Sequence, residues 1–211
     1  MKKILVPTDF SNNAYAALLY VSKLFSDEAL HITILHSFSD EIGKLTSRVD
    51  IGRSDNIIDK LYKQSDEDGE KLLSKIKLDT IKQKHTHEVI STPASLSKSI
   101  NSLVATDGID LVVMGSKGRT GAEGVLMGST TATITKTLEG CPLFIVPNQV
   151  DFVMPTKIAF ASDYNDFYQL SKLKPIVRLV RQYNSELHII HVGSEDALES
   201  NQKQNLEKFR N

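Results

Sequence analysis

The sequence predicts a doubly wound α/β domain, a parallel sheet with helices on both faces, followed by part of a second unit of the same kind. Three observations carry that expectation. Short apolar segments alternate with segments of helical spacing from residue 2 to residue 146. The apolar segments are continuous, as in strands buried on both sides. The opening pattern then restarts near residue 157.

Residues 2–8 (KKILVPT) read as a first buried strand that closes at Pro7. Asp9, Ser11 and Asn12 offer N-caps for a helix over 13–25, where Ala14, Ala17, Leu18, Val21, Leu24 and Phe25 share one face. His31 to His36 form the second strand, and the polar, glycine-containing residues 38–55 read as a long loop. A helix over 56–83 follows, with Asp66-Glu67-Asp68 and Gly69 as a solvated face and a potential break. Residues 86–91 are the third strand, 94–106 a helix, 109–114 the fourth strand, Ser129–Leu138 a Thr-rich helix and Leu143–Val146 the fifth strand.

Composition limits the function. The 211 residues are 40% hydrophobic and 24% charged, with 25 basic and 26 acidic side chains and a net charge of −1. That balance argues against a nucleic-acid binder and against a polybasic membrane patch. No apolar run approaches the ~18 residues of a membrane span. The apolar stretch after Met1-Lys2-Lys3 ends at Pro7, too short for a secretory signal, so the expectation is a cytoplasmic protein. A single cysteine, Cys141, excludes an internal disulfide framework and reads as a small buried residue.

The chemistry concentrates after the fourth strand. Gly115, Gly118, Gly121, Gly124 and Gly128 are five of the eleven glycines, and Ser129-Thr130-Thr131 opens the next helix. Such a loop lets a ligand approach the backbone, and a helix N-terminus favours an anion, so a phosphate chain is the natural occupant. There is no Walker A triplet and no dinucleotide fingerprint. In a sheet ordered 3-2-1-4-5, ligands bind where the order reverses, between strands one and four. Asp9 and Gly115 end those strands. Asp9 has two readings, as a group facing a sugar or base, or as the cap of the following helix.

The spacing Gly115-x2-Gly118-x9-Gly128-Ser129 resembles the G-x2-G-x9-G-[S/T] signature of ATP-binding universal stress proteins. Val6-Pro7-Thr8-Asp9-Phe10-Ser11, the Leu35-His36 pair and Cys141-Pro142-Leu143-Phe144-Ile145-Val146-Pro147 are also similar to that family. The resemblance covers residues 1–148 and implies the adenine nucleotide alpha hydrolase-like fold. It implies that Pro7, Thr8 and Asp9 line ribose and adenine, and that Ser37, where the family usually has Val, touches adenine. Met114, Gly115 and Gly118 would hold the ribose and first phosphates. Gly128, Ser129 and Thr130 would hold the outer ones, with Lys117 and Arg119 adding charge. ATP, ADP or AMP is the implied ligand, with Mg²⁺ able to bridge phosphate oxygens, in a stress-response regulator that dimerises, commonly through its last strand. The alternatives are a dimeric interaction protein that binds no nucleotide, and a slow ATPase. No carboxylate pair or nucleophile elbow supplies catalytic residues.

After a linker over 149–156, Lys157-Ile158-Ala159-Phe160-Ala161-Ser162-Asp163-Tyr164 matches Lys3 to Phe10, and Leu187 to Val192 matches Ile32 to Ser37. Residues 157–211 thus read as a partial second copy without the fourth strand or the glycine loop. Its uncovered strand edges invite packing on the first domain or exchange between protomers. His85 and His87 read as a surface strand or half a metal site, and His36 and His191 as structural or ligand-facing.

Overall fold

The computed structural model describes residues 2–46, 54–118, 127–148, 150–166 and 170–210. The chain divides into two units, Met1–Phe152 and Val153–Asn211. The first unit runs β1 (Lys2–Thr8), α1 (Asn12–Leu24), β2 (Leu30–Ser37), α2 (Ser39–Thr46), α3 (Ser54–Asp79), β3 (Thr86–Thr92), α4 (Leu96–Asp107), β4 (Leu111–Gly115), α5 (Ser129–Thr137) and β5 (Leu143–Val146). Its five strands are parallel and ordered β3-β2-β1-β4-β5, the order expected from the sequence.

Side-chain alternation splits the strands into two apolar layers. Leu5, Leu35, Val112 and Met114 pack with Ile100 and Ile134 of α4 and α5. Ile4, Val6, Ile32, Ile34 and Val113 have the opposite parity and are buried on the other side, where α1 and α3 lie against the sheet. Each fully buried aliphatic side chain contributes about 1.5–3 kcal/mol to this core.

Two local expectations are corrected. The segment read as a loop over 38–55 contains α2, whose first turn carries Asp40 and Glu41 and whose last turn carries Lys44. Those charges complement the helix dipole, and the Ile42 N–H bonds the Phe38 carbonyl at 3.1 Å. The acidic cluster does not break α3, which runs unbroken through Gly69. A Cβ at Gly69 would lie 3.1 Å from Val89 Cγ1. The glycine is the point where α3 closes onto β3.

The second unit holds β6 (Lys157–Ala161), α6 (Leu170–Tyr183), β7 (Glu186–Ile190), a 3₁₀ turn (Glu195–Ala197) and α7 (Ser200–Arg210). Ile158 pairs with Leu187 and Phe160 with Ile189, in parallel. Ile4–Ile32 and Val6–Ile34 are the corresponding pairs of β1 and β2. The turn after each first strand is also alike. Phe10 has φ 58° and Tyr164 φ 60°. The Phe10 N–H donates to Thr8 Oγ1 at 2.9 Å and the Tyr164 N–H to Ser162 Oγ at 3.1 Å. In the second unit α7 covers that turn: Asn205 Nδ2 donates to the Tyr164 carbonyl at 2.9 Å and Gln202 Nε2 to the Asp163 carbonyl at 2.8 Å.

Candidate functional site

The site begins with a gap in the sheet. The Asp110 N–H bonds the Lys3 carbonyl, so odd-numbered residues of β1 direct their polar groups toward β4. The register stops at Leu5–Val112. The next bond on this ladder would leave the N–H of residue 7, and Pro7 has none. Pro7 therefore does not close the strand, which continues to Thr8. It ends the pairing with β4 and leaves the carboxyl ends of β1 and β4 apart, at the reversal of strand order where α/β folds bind ligands.

The turn beyond β1 forms one wall. Asp9 Oδ1 accepts the Ser11 N–H at 3.0 Å, and Thr8 Oγ1 accepts that of Phe10. Together these hold Phe10 at positive φ, a conformation that disfavours a side chain. The N-cap of α1 is Ser11, whose hydroxyl accepts the Ala14 N–H at 3.3 Å. Asp9 is thus not the cap, and its Oδ2 lies 2.9 Å from where a Cβ on Gly118 would stand.

The opposite wall comes from β4 and α5. A Cβ at Gly115 would lie 3.2 Å from the backbone oxygens of Asn13 and Lys117, so only glycine fits there without moving main chain. The Thr131 hydroxyl, buried, donates to the Gly115 carbonyl at 3.0 Å. The Gly128 N–H donates to the Ser116 carbonyl at 2.8 Å and ties the two ends of the glycine loop together. A Cβ at Gly128 would make only ordinary contacts, 3.5 Å from Lys117 Cα and 3.7 Å from the Gly118 nitrogen. Gly128 is the N-cap of α5 and offers no side chain to it. The first intrahelical bond runs from Ala132 to Gly128, so the N–H groups of Ser129, Thr130 and Thr131 precede it. The side chains of Ser129 and Thr130 are exposed.

Ser37 lies on the third side. The Phe38 N–H bonds Thr92 of β3, so Ser37, of opposite parity, turns its own N–H and C=O toward β1, one position past the Thr8–His36 pair. Its hydroxyl donates to the Ala94 carbonyl at 2.7 Å. The residue faces the crevice with its backbone, which lessens the weight of a serine where the family usually has valine.

The structure therefore gathers Pro7, Thr8, Asp9, Gly115, Gly118 and Gly128 at one edge, with Ser129 and Thr130 opening α5 and Ser37 at the adjoining strand end. Met114 is buried in the layer below. Arg119, with Gly121 and Gly124, lies outside the described residues. Sequence reasoning missed Asn13, Thr131 and Ser65. Ser65 is 1% exposed. Its hydroxyl bonds His36 Nδ1 and Ser91 Oγ, both at 2.7 Å, and the Phe10 ring packs at a tilt against His36, with ring centres 4.6 Å apart. The signal was a polar residue on the inner stripe of α3, in step with Gly69, Leu72 and Ile76.

A groove of about 770 Å³ adjoins Asp9 on the α3 side, lined among others by Ser11, Asn13, Tyr15, Lys71 and Lys75. It is walled by interactions internal to the fold. Lys75 Nζ lies 3.8 Å from the Tyr15 ring centre, and the Tyr15 hydroxyl bonds Asp79. Burial, with that carboxylate beside it, pushes the Tyr15 phenol up. Gln64 and Lys71 hold the Asp68 carboxyl below the usual range. Gly115, Gly118 and Gly128 do not line this groove, which adjoins the crevice at Asp9. Burial pushes the Cys141 thiol up to about 11, which keeps it protonated near neutral pH. Among the described residues no cluster of three or more His, Cys, Asp or Glu can hold a metal, and no helix is long and apolar enough to cross a membrane.

Fold and crevice together define a doubly wound α/β domain that is open between the carboxyl ends of β1 and β4. The chain belongs to the universal stress protein family, whose family signature matches residues 1–147. It is 27% identical over 143 residues to universal stress protein MJ0577 of Methanocaldococcus jannaschii, covering 64% of this chain and 88% of that one. The solved structure of MJ0577 superposes with a TM-score of 0.58 at 26% identity, covering 71% of this chain and 98% of that one. A universal stress protein from Archaeoglobus fulgidus shares the fold over 98% of this chain and 71% of its own, at 20% identity and a TM-score of 0.66.

Proposed function

We propose that this chain binds an adenine nucleotide, ATP foremost with ADP or AMP in the same place, and serves as a regulatory sensor in a stress response. The observation that carries the reading is the Pro7 gap. It opens the sheet where Gly115, Gly118 and Gly128 converge on the unsatisfied N-terminus of α5, with spacing that resembles the signature of ATP-binding family members. The residues suit such a ligand. Gly128 is not demanded by packing, and its bare backbone lets a phosphate approach the first-turn amides of α5. Ser129 and Thr130 add hydroxyls and Lys117 adds charge. Thr8, Asp9 and the Ser37 backbone address the ribose and base. Mg²⁺, when present, would be held mainly by phosphate oxygens. In this reading the nucleotide acts as a signal, its outer phosphates distinguishing ATP from ADP.

The same reading takes residues 1–148 as the nucleotide-binding domain, 149–156 as a linker and 157–211 as a partial second copy. The shared register and turn geometry of β1–β2 and β6–β7 support this, as does the fold likeness to the longer Archaeoglobus chain. A cytoplasmic homodimer is the expected form. The test is an ATP titration by calorimetry on the wild-type chain and Gly118→Val. The valine would crowd Asp9 and is expected to abolish binding; unchanged affinity would overturn the site assignment.

A further inference from the structure

The two units share the turn after their first strand but anchor the histidine beside it differently. In the first unit the β1–β2 register runs on to Thr8–His36. In a parallel ladder that rung joins the Ser37 N–H to the Thr8 carbonyl. In the second unit the register ends at Ala161–Ile190, the counterpart of Pro7–Leu35. The Ser162 N–H still bonds the Ile190 carbonyl at 3.0 Å, so the strands stand in place for one more rung. The Ser162 carbonyl goes instead to the ring of His191, whose Nδ1 lies 3.0 Å away. A carbonyl only accepts, so Nδ1 is the donor.

His36 meets the same choice. Its ring packs against Phe10 with centres 4.6 Å apart, as that of His191 packs against Tyr164 at 5.1 Å. The helix beside the turn makes the difference. α7 brings Asn205, whose amide donates to the Tyr164 carbonyl at 2.9 Å, and His191 Nδ1 turns to the strand end. α3 brings Ser65, whose buried hydroxyl lies 2.7 Å from His36 Nδ1 and 2.7 Å from Ser91 Oγ. A hydroxyl donates once and accepts as well, so this bridge holds whichever tautomer the His36 ring adopts.

We propose that Ser65 is a positioning residue for the base side of the crevice. By holding His36 Nδ1 it keeps the imidazole off the Thr8 carbonyl and preserves the last β1–β2 rung, which places Thr8 and the Ser37 backbone. The inference rests on the nucleotide reading of that crevice. The test compares the full-length wild-type chain with Ser65→Ala by amide hydrogen exchange, by NMR of the imidazole nitrogens and by ATP calorimetry. In wild type the Ser37 amide is expected to exchange slowly and that of Val192 fast. In Ser65→Ala the Ser37 amide should exchange at least tenfold faster, while that of Leu35, one rung earlier, keeps its protection. The His36 nitrogens should shift and those of His191 stay. ATP affinity should fall about tenfold, as for the loss of one hydrogen bond. Unchanged Ser37 exchange, a loss of protection shared with Leu35, or unchanged ATP affinity would overturn the proposal. A wild-type chain that binds no ATP would overturn the nucleotide reading and the role in affinity with it, while exchange still decides whether Ser65 sets the rung. Should Ser65→Ala fail to fold, Ser65→Cys, whose thiol is a weaker partner, carries the same expectations.

Discussion

Replacing Gly128 by alanine is expected to leave the fold intact and to weaken nucleotide binding, and the geometry separates the two effects. Gly128 has φ −69° and ψ 155°, an extended conformation open to alanine. Its Cβ would meet nothing nearer than 3.5 Å. At an N-cap, alanine is worse than glycine by about 0.5–1.5 kcal/mol. The reduced freedom of the unfolded chain returns about 0.4–1 kcal/mol, so stability changes by less than about 1 kcal/mol. The methyl would stand 3.7 Å from the Gly118 nitrogen, in the space between the two ends of the loop where the proposed site puts a phosphate oxygen. Losing one hydrogen bond to a charged group costs about 1.5–3 kcal/mol, which is about 10–150-fold in Kd. The assay is ATP calorimetry paired with urea unfolding of the same sample. An alanine variant that unfolds like wild type and binds ATP within twofold of it would refute the reasoning.

Gly115→Ala is expected to act the other way. Its Cβ meets two backbone oxygens at 3.2 Å, so urea unfolding should show a loss of about 1–3 kcal/mol from overpacking. Thr131→Val removes the buried donor to the Gly115 carbonyl and should cost about 1–3 kcal/mol on the same measurement. Ser11→Ala removes the cap of α1 and should cost about 1 kcal/mol, with a weaker ATP affinity as the Asp9 turn loosens. His87 gives a pH dependence. Its folded-state pKa is about 4 against 6.5 for a free imidazole, so the unfolded chain takes up the proton first as pH falls. The contribution is complete above about pH 6.5 and is lost as pH drops toward 4. Discounted for partial exposure it amounts to about 1–2 kcal/mol, and unfolding midpoints at pH 7 and 4.5 in wild type and His87→Gln should differ accordingly.

The sheet order and the place of the crevice were legible because they rest on strong, redundant signals. Five apolar runs, the glycines after β4 and the helix behind them all point to one topology. Pro7 was legible as a residue but not in its effect. The sequence suggests that it stops β1, whereas it interrupts only the ladder to β4, a distinction that depends on which side its missing N–H would face. α2 was hidden because its apolar content is low and it is held by end charges and the Phe38 carbonyl. Gly69 looked like a break in α3 because the closeness of Val89 is a tertiary fact. Ser37 illustrates the same limit, since only strand pairing shows that its backbone, and not its hydroxyl, faces the crevice.

The central claim, an adenine nucleotide held between β1 and β4, is tested most directly by what the purified protein carries. Heat-denaturing it and analysing the supernatant by liquid chromatography and mass spectrometry should release adenine nucleotide approaching one equivalent per chain from wild type and none from Gly118→Val. A supernatant free of nucleotide, with no rise in melting temperature on adding ATP and Mg²⁺ to the wild-type chain, would contradict the account.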